Sequence, residues 1–309
     1  MHVFTVSSQS IFSHLHLGEC VLIFLGISFL LKRVFMTIRS LAPVYIFFRH
    51  LLFTALFALS AIGYGEDRVV ILAEDNAAPW SFKDGTGCAN EVVKAAFAAA
   101  KVEIDLQVVP YERAKQMILK GKAVACFSMS WDPTYEGKVA FADQPLFICQ
   151  CDYLHLLSHP LSAKKESDIT TKIIVGTVVG YEYPPSVRRL QEKGLLVLEE
   201  SPSEELNLKK LAGGRLDAIL LNHNTVKTAQ IMMHEAGVAG KVDVAFHCGE
   251  LKAFVGFSLS HPRGSWARER FGVGFQIIKT DGTVRRIEQS WIEKEAKSIE
   301  IRPADTGEK

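Results

Sequence analysis

The stretch Val109–Phe147, VPYERAKQMILKGKAVACFSMSWDPTYEGKVAFADQPLF, reads as the end of a strand, a helix, a tight turn, a buried strand and a polar loop with aromatics. After Pro110, the residues Ala114, Met117 and Ile118 recur at the i, i+3, i+4 spacing of a half-buried helix. Gly121 stands where a helix end needs a left-handed residue. Ala123–Phe127 is short and apolar, the pattern of a buried strand, and its end delivers Ser128, Ser130, Trp131 and Tyr135 into a loop. Ligands of open α/β sheets bind at the carboxyl ends of the strands, so this loop is the first candidate site.

A second copy of the unit lies at Leu211–Asn222, LAGGRLDAILLN, where Gly214-Arg215-Leu216-Asp217-Ala218 matches Gly121-Lys122-Ala123-Val124-Ala125 position for position. The spacing between the copies is too long for a solenoid period and fits two α/β lobes of similar build. Helix–Gly–strand junctions also occur in any α/β protein, so one pair does not by itself establish a duplication.

Upstream, Arg68–Leu72 reads as a buried first strand that ends in Ala73-Glu74-Asp75-Asn76 and the Pro-aromatic step around Trp80. Lys83–Gly87 is a turn, Asn90–Lys101 an Ala-rich helix with Val93, Ala96, Phe97 and Ala100 on one face, and Ile104–Val108 the next strand. Strands alternating with crossovers of this length imply a mostly parallel sheet.

The chain has 309 residues, enough for one large or two ordinary domains, and a formal charge of +1 that gives no footprint for nucleic acid. No P-loop, GxGxxG or HExxH pattern is present, so no cofactor is called. The hydrophobic fraction of 48% is concentrated in the first 65 residues. There, Arg39, Arg49 and His50 precede the apolar run Leu51–Ile62, the charge and length pattern of a secretory signal, with cleavage after Ser60 or Gly65. Met36 stands just before the basic segment, which makes residues 1–35 an upstream extension and 36–65 the signal. The competing reading is an uncleaved anchor over Leu41–Gly63.

In an exported chain Cys88, Cys126, Cys149, Cys151 and Cys248 remain, and Cys126 with Cys149 is a candidate disulfide. Cys149, Cys151 and His155 are placed on one strand face, which admits a soft metal site; small buried hydrophobes filling a sheet are the favoured reading, and no metal is called.

The runs VILAEDNAAPWSFKDGTG, VPYERAKQMILKGKAVACFSMS and FADQPLF, followed by IVGTVVGYEY, Leu211–Ala218 and FVGFSLSHPRG…GFQIIKTDGTVRRIEQSW, resemble in content and order the bacterial extracellular solute-binding proteins of family 3. The resemblance covers about residues 67–292. It implies a two-lobed periplasmic binding protein fold, each lobe a mostly parallel sheet flanked by helices, with two hinge crossings. Lobe 1 would comprise residues 66–156 and 252–296, lobe 2 residues 157–251, and residues 297–309 a polar tail, with the crossings near Tyr153–Ser158 and Lys252–Ser260. It also implies a periplasmic monomer that holds a small-molecule ligand and engages the membrane permease of an ABC transporter.

One departure from that pattern bears on the ligand. Amino-acid receptors of the family usually carry a Thr-x-x-Arg step whose guanidinium clamps the ligand carboxylate; the Arg position, aligned on Phe141, is Tyr135 here. Arg113, in the PYER step, is a candidate replacement cation or a surface residue of a first helical turn. Trp80, Tyr111, Trp131 and Tyr135 from lobe 1 and Tyr181 and Tyr183 from lobe 2 form an expected aromatic wall, with Asp75, Ser130 and Asn222 as polar partners and Glu182 as a counter-charge. Such a wall suits a ligand with a flat or apolar body, or a cation held over ring faces. Two rival readings stand beside the receptor: a lyase resembling cyclohexadienyl dehydratase, and a sensory receptor without a transporter. The lyase needs a general acid, for which Glu74, Asp75, Asp132, Glu136 and Glu182 are candidates.

Overall fold

The computed structural model describes residues 68–301. The expected signal or anchor and the extension before it lie outside these residues; among the described residues no helix is long and apolar enough to cross a membrane. The first lobe is built from β1 (Val69–Glu74), α1 (Cys88–Ala99), β2 (Ile104–Val109), α2 (Tyr111–Leu119), β3 (Ala125–Met129) and β4 (Val139–Phe141). β1 pairs in parallel with β2 on one side and β3 on the other, the pairing that helical crossovers require. Late in the chain, β9 (Val242–Ser258) completes this sheet by running antiparallel to β3 and β4. Helices α1 and α6 (Gly264–Thr280) cover one face, where Phe97, Phe257 and Phe271 are wholly buried. Each such ring contributes about 2–3 kcal/mol by leaving water. Helix α2 covers the opposite face through Tyr111, Ala114 and Ile118.

The second lobe repeats the plan with β6 (Ile173–Val178), α3 (Pro185–Glu192), β7 (Leu196–Ser201), α4 (Glu204–Ala212), β8 (Ala218–His223) and α5 (Ala229–Glu235). Here β6 lies parallel between β7 and β8. Leu208, Leu211 and Met232 pack with Ile219 and Leu221 on one face, while Val187 and Leu190 pack with Val175 and Leu220 on the other. Both helix–Gly–strand junctions form the same cap. Gly121 N–H donates to Ile118 and Lys122 N–H to Met117, just as Gly214 N–H donates to Leu211 and Arg215 N–H to Lys210. Gly121 and Gly214 have φ of 67° and 68°, the left-handed geometry this cap demands.

The lobes are joined by β5 (Phe147–Leu156), which pairs antiparallel with β9 over nearly its whole length, giving one sheet in the order β2-β1-β3-β9-β5-β8-β6-β7. Phe147 packs with the first lobe's core, whereas Cys151 and Tyr153 are wholly buried in the second lobe's. On the partner strand the same change falls between Cys248 and Val255. The change of core thus falls at 148–150 on β5 and between Cys248 and Val255 on β9. The last helix, α7 (Thr283–Ile301), runs past Lys297 into the segment read from sequence as a polar tail.

Cys88, Cys126, Cys149, Cys151 and Cys248 are all free thiols, so the disulfide considered between Cys126 and Cys149 is not formed. Cys126 sits under α2 and Cys149 lines the interlobe cleft. The two register shifts of the β5–β9 pairing leave out Cys248 and Ala245 of β9, so β5 itself keeps its alternation, and His155 Nδ1 accepts from Leu161 N–H at 3.1 Å. Among the described residues no group of three His, Cys, Asp or Glu side chains is placed to hold a metal ion.

Candidate functional site

Between the lobes lies a narrow cavity of ≈ 60 Å³. Its first wall comes from the carboxyl ends of β1 and β3. Glu74 is the last residue of β1 and is only 5% exposed. At the end of β3 the pairing with β9 shifts register between Cys126 and Met129, and Ser128 takes a left-handed φ of 66°. A serine in that region is strained, and the bulge brings both Ser128 and Ser130 to the cavity. Trp80, from the turn after β1, and Tyr111, at the start of α2, add aromatic surface.

The opposite wall comes from the second lobe: Tyr181 and Glu182 follow β6, Glu204 opens α4, and Asn222 lies near the end of β8. Glu204 follows the helix cap Ser203, whose hydroxyl accepts from Leu206 N–H. The hinge strands form the back wall with Phe147, Cys149, Leu251 and Ala253.

The electrostatics of this cavity are one-sided. Its lining holds three carboxylates, Glu74, Glu182 and Glu204, and no Lys, Arg or His. Burial, together with the neighbouring carboxylates Glu204, Glu182 and Asp75, pushes Glu74 up to about 8, against a hydrogen bond from Tyr181 that pulls it down. That bond, Tyr181 hydroxyl to Glu74 Oε1, measures 2.6 Å. Burial likewise raises Glu204 to about 7, opposed by the Asn222 N–H that donates to Oε1 at 3.0 Å and by the charge of Lys227.

Glu182 differs, because donors from the first lobe occupy both of its oxygens. Oε2 accepts from the Tyr111 hydroxyl at 2.8 Å and from Ser130 N–H at 3.4 Å. Oε1 accepts from the Tyr135 hydroxyl and lies 3.3 Å from Lys115 Nζ. Lys115 also donates to the carbonyl of Gly180, pairs with Glu112 at 3.2 Å, and lies 4.9 Å from the Tyr111 ring centroid. Further contacts tie the lobes on the side away from the hinge: Lys227 Nζ donates to Ala78 O at 3.1 Å and Asn76 Nδ2 to Pro202 O at 3.2 Å.

Of the residues singled out from sequence, Trp80, Tyr111, Ser130, Tyr181 and Asn222 line the cavity, and Glu182 does too. Tyr135 is one step away, behind Glu182. Tyr183 turns into the second lobe, where its hydroxyl accepts from Val178 N–H at 2.8 Å. Trp131 is 60% exposed and lies on a separate groove between the lobes with Asp132 and Arg188. Arg113 is exposed on α2 and lines no described cavity; Lys115 enters the cleft instead. Two residues on a helix turn the side chain by roughly 200°, from solvent to the cleft. Asp75 is likewise outside the cavity, and its neighbour Glu74 is inside, since consecutive residues on a strand face opposite ways.

Sequence reasoning missed Lys115, Glu204 and the hinge residues Phe147, Cys149, Leu251 and Ala253. Glu204 had a legible signal, a polar residue just after a helix cap at a strand's carboxyl end; the hinge residues had none, because only the β5–β9 pairing brings them to the cleft.

No protein-family profile matches the sequence, and no curated protein does. Solved structures do. A histidine kinase sensor domain with similarity to periplasmic binding proteins superposes with a TM-score of 0.61 at 16% identity, over 72% of this chain and 95% of that one. The arginine-, lysine-, histidine-binding protein ArtJ from the thermophilic bacterium Geobacillus stearothermophilus gives 0.59 at 12% identity, over 72% and 94%. An ancestral amino acid-binding protein, a precursor of cyclohexadienyl dehydratase, gives 0.56 at 17% identity, over 73% and 95%. A sensor, a binding protein and a forerunner of an enzyme share this architecture, so the likeness speaks to fold and not to use. The described part of the chain has the two-lobed periplasmic binding protein fold.

Proposed function

We propose that the chain is an exported solute-binding protein whose cleft closes on a small organic cation with an apolar or aromatic body. The observation that carries this reading is the cavity lining: three carboxylates, the rings of Trp80, Phe147, Tyr111 and Tyr181, and no basic side chain. Glu74 and Glu204 each have one named donor and keep acceptor capacity for a ligand ammonium or guanidinium. Their raised pKa values record first the cost of burying a carboxylate, increased for Glu74 by its carboxylate neighbours and partly relieved for Glu204 by Lys227. A bound cation removes that cost, and ring faces add attraction. Closure of the lobes around β5 and β9 buries the ligand and presents the joined surface to a membrane permease.

The test is a thermal-shift and calorimetric screen of the full-length chain against polyamines, guanidino compounds, aromatic and quaternary amines, amino acids and organic acids. Amines are expected to raise Tm by several degrees at a hundred times Kd, a stabilisation of about 2.7 kcal/mol, and to be recovered unchanged. A response confined to organic acids refutes the reading.

A lyase on the same fold is supported by one specific feature: Glu74, with its pKa at about 8, is a protonated carboxyl at neutral pH inside the cavity, as a general acid must be. Consumption of a bound hydroxylated compound during incubation would move the assignment to this alternative.

A further inference from the structure

Glu182 belongs to the second lobe, yet all of its hydrogen-bond donors belong to the first. Two phenols (Tyr111 and Tyr135), one backbone N–H (Ser130) and one ammonium (Lys115) converge on its two oxygens. An ionised carboxylate offers about four lone-pair positions, and these donors supply one for each. The surroundings are dry: Tyr111, Tyr135, Ser130 and Lys115 are each more than nine-tenths buried. Glu182 is held equally tightly, with its side chain 9% exposed. Without it, the first lobe would present the Tyr135 hydroxyl and the Ser130 N–H without their acceptor, beside a buried ammonium that keeps Glu112 and a Tyr111 hydroxyl left with Ser128 O at 3.4 Å, which is a built anion site. The chain fills that site with its own carboxylate.

The loop that carries Glu182 is shaped for this insertion. Gly180 adopts a φ of 80°, and its carbonyl accepts from the same Lys115 Nζ. A Cβ at Gly180 would meet Glu112 Oε2 at 2.8 Å and Glu112 Cβ at 3.1 Å, so the β6–α3 loop approaches α2 as closely as glycine allows. Tyr181 then turns to Glu74 and Glu182 to the cradle, so consecutive residues engage two different parts of the first lobe.

We infer that Glu182 is a built-in stand-in for a ligand carboxylate, so that the cleft selects amines over the corresponding amino acids. A ligand carboxylate would have to displace a tethered one that already satisfies every donor, and would also face Glu74 and Glu204 across the cavity. This rests on the solute-binding reading above and narrows its ligand class to cations without a carboxylate.

The cradle can be tested independently of any natural ligand, by chemical rescue of the full-length chain. In E182A the donors are left vacant, and sodium acetate or formate is expected to raise Tm by about 2–4 °C over sodium chloride at equal ionic strength. Wild type is expected to show no acetate-specific rise, and adding Y135F to E182A is expected to shrink it. E182S vacates the same cradle if the alanine variant does not fold. On wild type, matched pairs such as agmatine and arginine, or tyramine and tyrosine, are expected to favour the amine at least tenfold.

An equal acetate response in wild type and variant, no response in either folded variant, or an amino acid that binds wild type more tightly than its amine overturns the inference. The two levels separate cleanly. Acetate rescue without amine binding to wild type keeps the cradle and overturns the solute reading; amine binding without rescue does the reverse.

Discussion

Replacing Glu74 by glutamine isolates the electrostatic cost of the empty cleft. Glu74 is wholly enclosed, and its carboxyl titrates at about 8 in the folded chain against an ordinary 4.5. The folded state therefore binds a proton more strongly than the unfolded state does. Its stabilising contribution is complete below pH 4.5 and is lost as pH rises through 8. At about 1.4 kcal/mol per pH unit, the loss is on the order of 4–5 kcal/mol, most of it between pH 5 and pH 8. Gln keeps an acceptor for the Tyr181 hydroxyl and carries no charge.

The comparison is urea denaturation of wild type and E74Q from pH 5.5 to 8.5. His155, held below its usual value by burial, acts in the opposite sense below pH 6.5, but equally in both proteins. Glu204, raised to about 7, adds to the slope in both. E74Q should already be more stable by about 1.4 kcal/mol at pH 5.5, and by roughly 4–5 kcal/mol near pH 8.5. A saturating organic cation should flatten the wild-type slope. Parallel pH profiles would refute the account of Glu74 as a carboxyl strained by its surroundings.

Two further outcomes concern the fold around the site. In G274A the new Cβ would lie 1.8 Å from the carbonyl oxygen of Ala96, where α6 crosses α1. Backbone cannot yield as a side chain does, so about 3 kcal/mol of stability and roughly 6–12 °C of Tm should be lost. R188A removes an ion pair to Asp132 across the outer groove. Because Arg188 is half exposed, the loss should stay below about 1 kcal/mol and vanish in high salt.

The sequence alone determined the lobed α/β plan. Periodicity, Gly121 and Gly214 mark helix ends and strands locally, and the matched caps follow from φ values that only glycine adopts easily. It also pointed to the strand ends, where Trp80, Tyr111, Ser130, Tyr181 and Asn222 line the cavity. It did not resolve single-residue facing at those ends: Arg113 was open between cleft and surface, and Glu74 and Asp75 stood as equal candidates, because one or two residues of rotation decide between cleft and solvent.

Only the tertiary structure decided the character of the site. Phe147 and Leu251 reach the cavity through a pairing between strands a hundred residues apart. Glu182 became the occupant of a cradle whose donors all lie on the other lobe. Local sequence encodes which way a backbone turns; the charge a ligand meets is set by which turns are brought face to face when the lobes close.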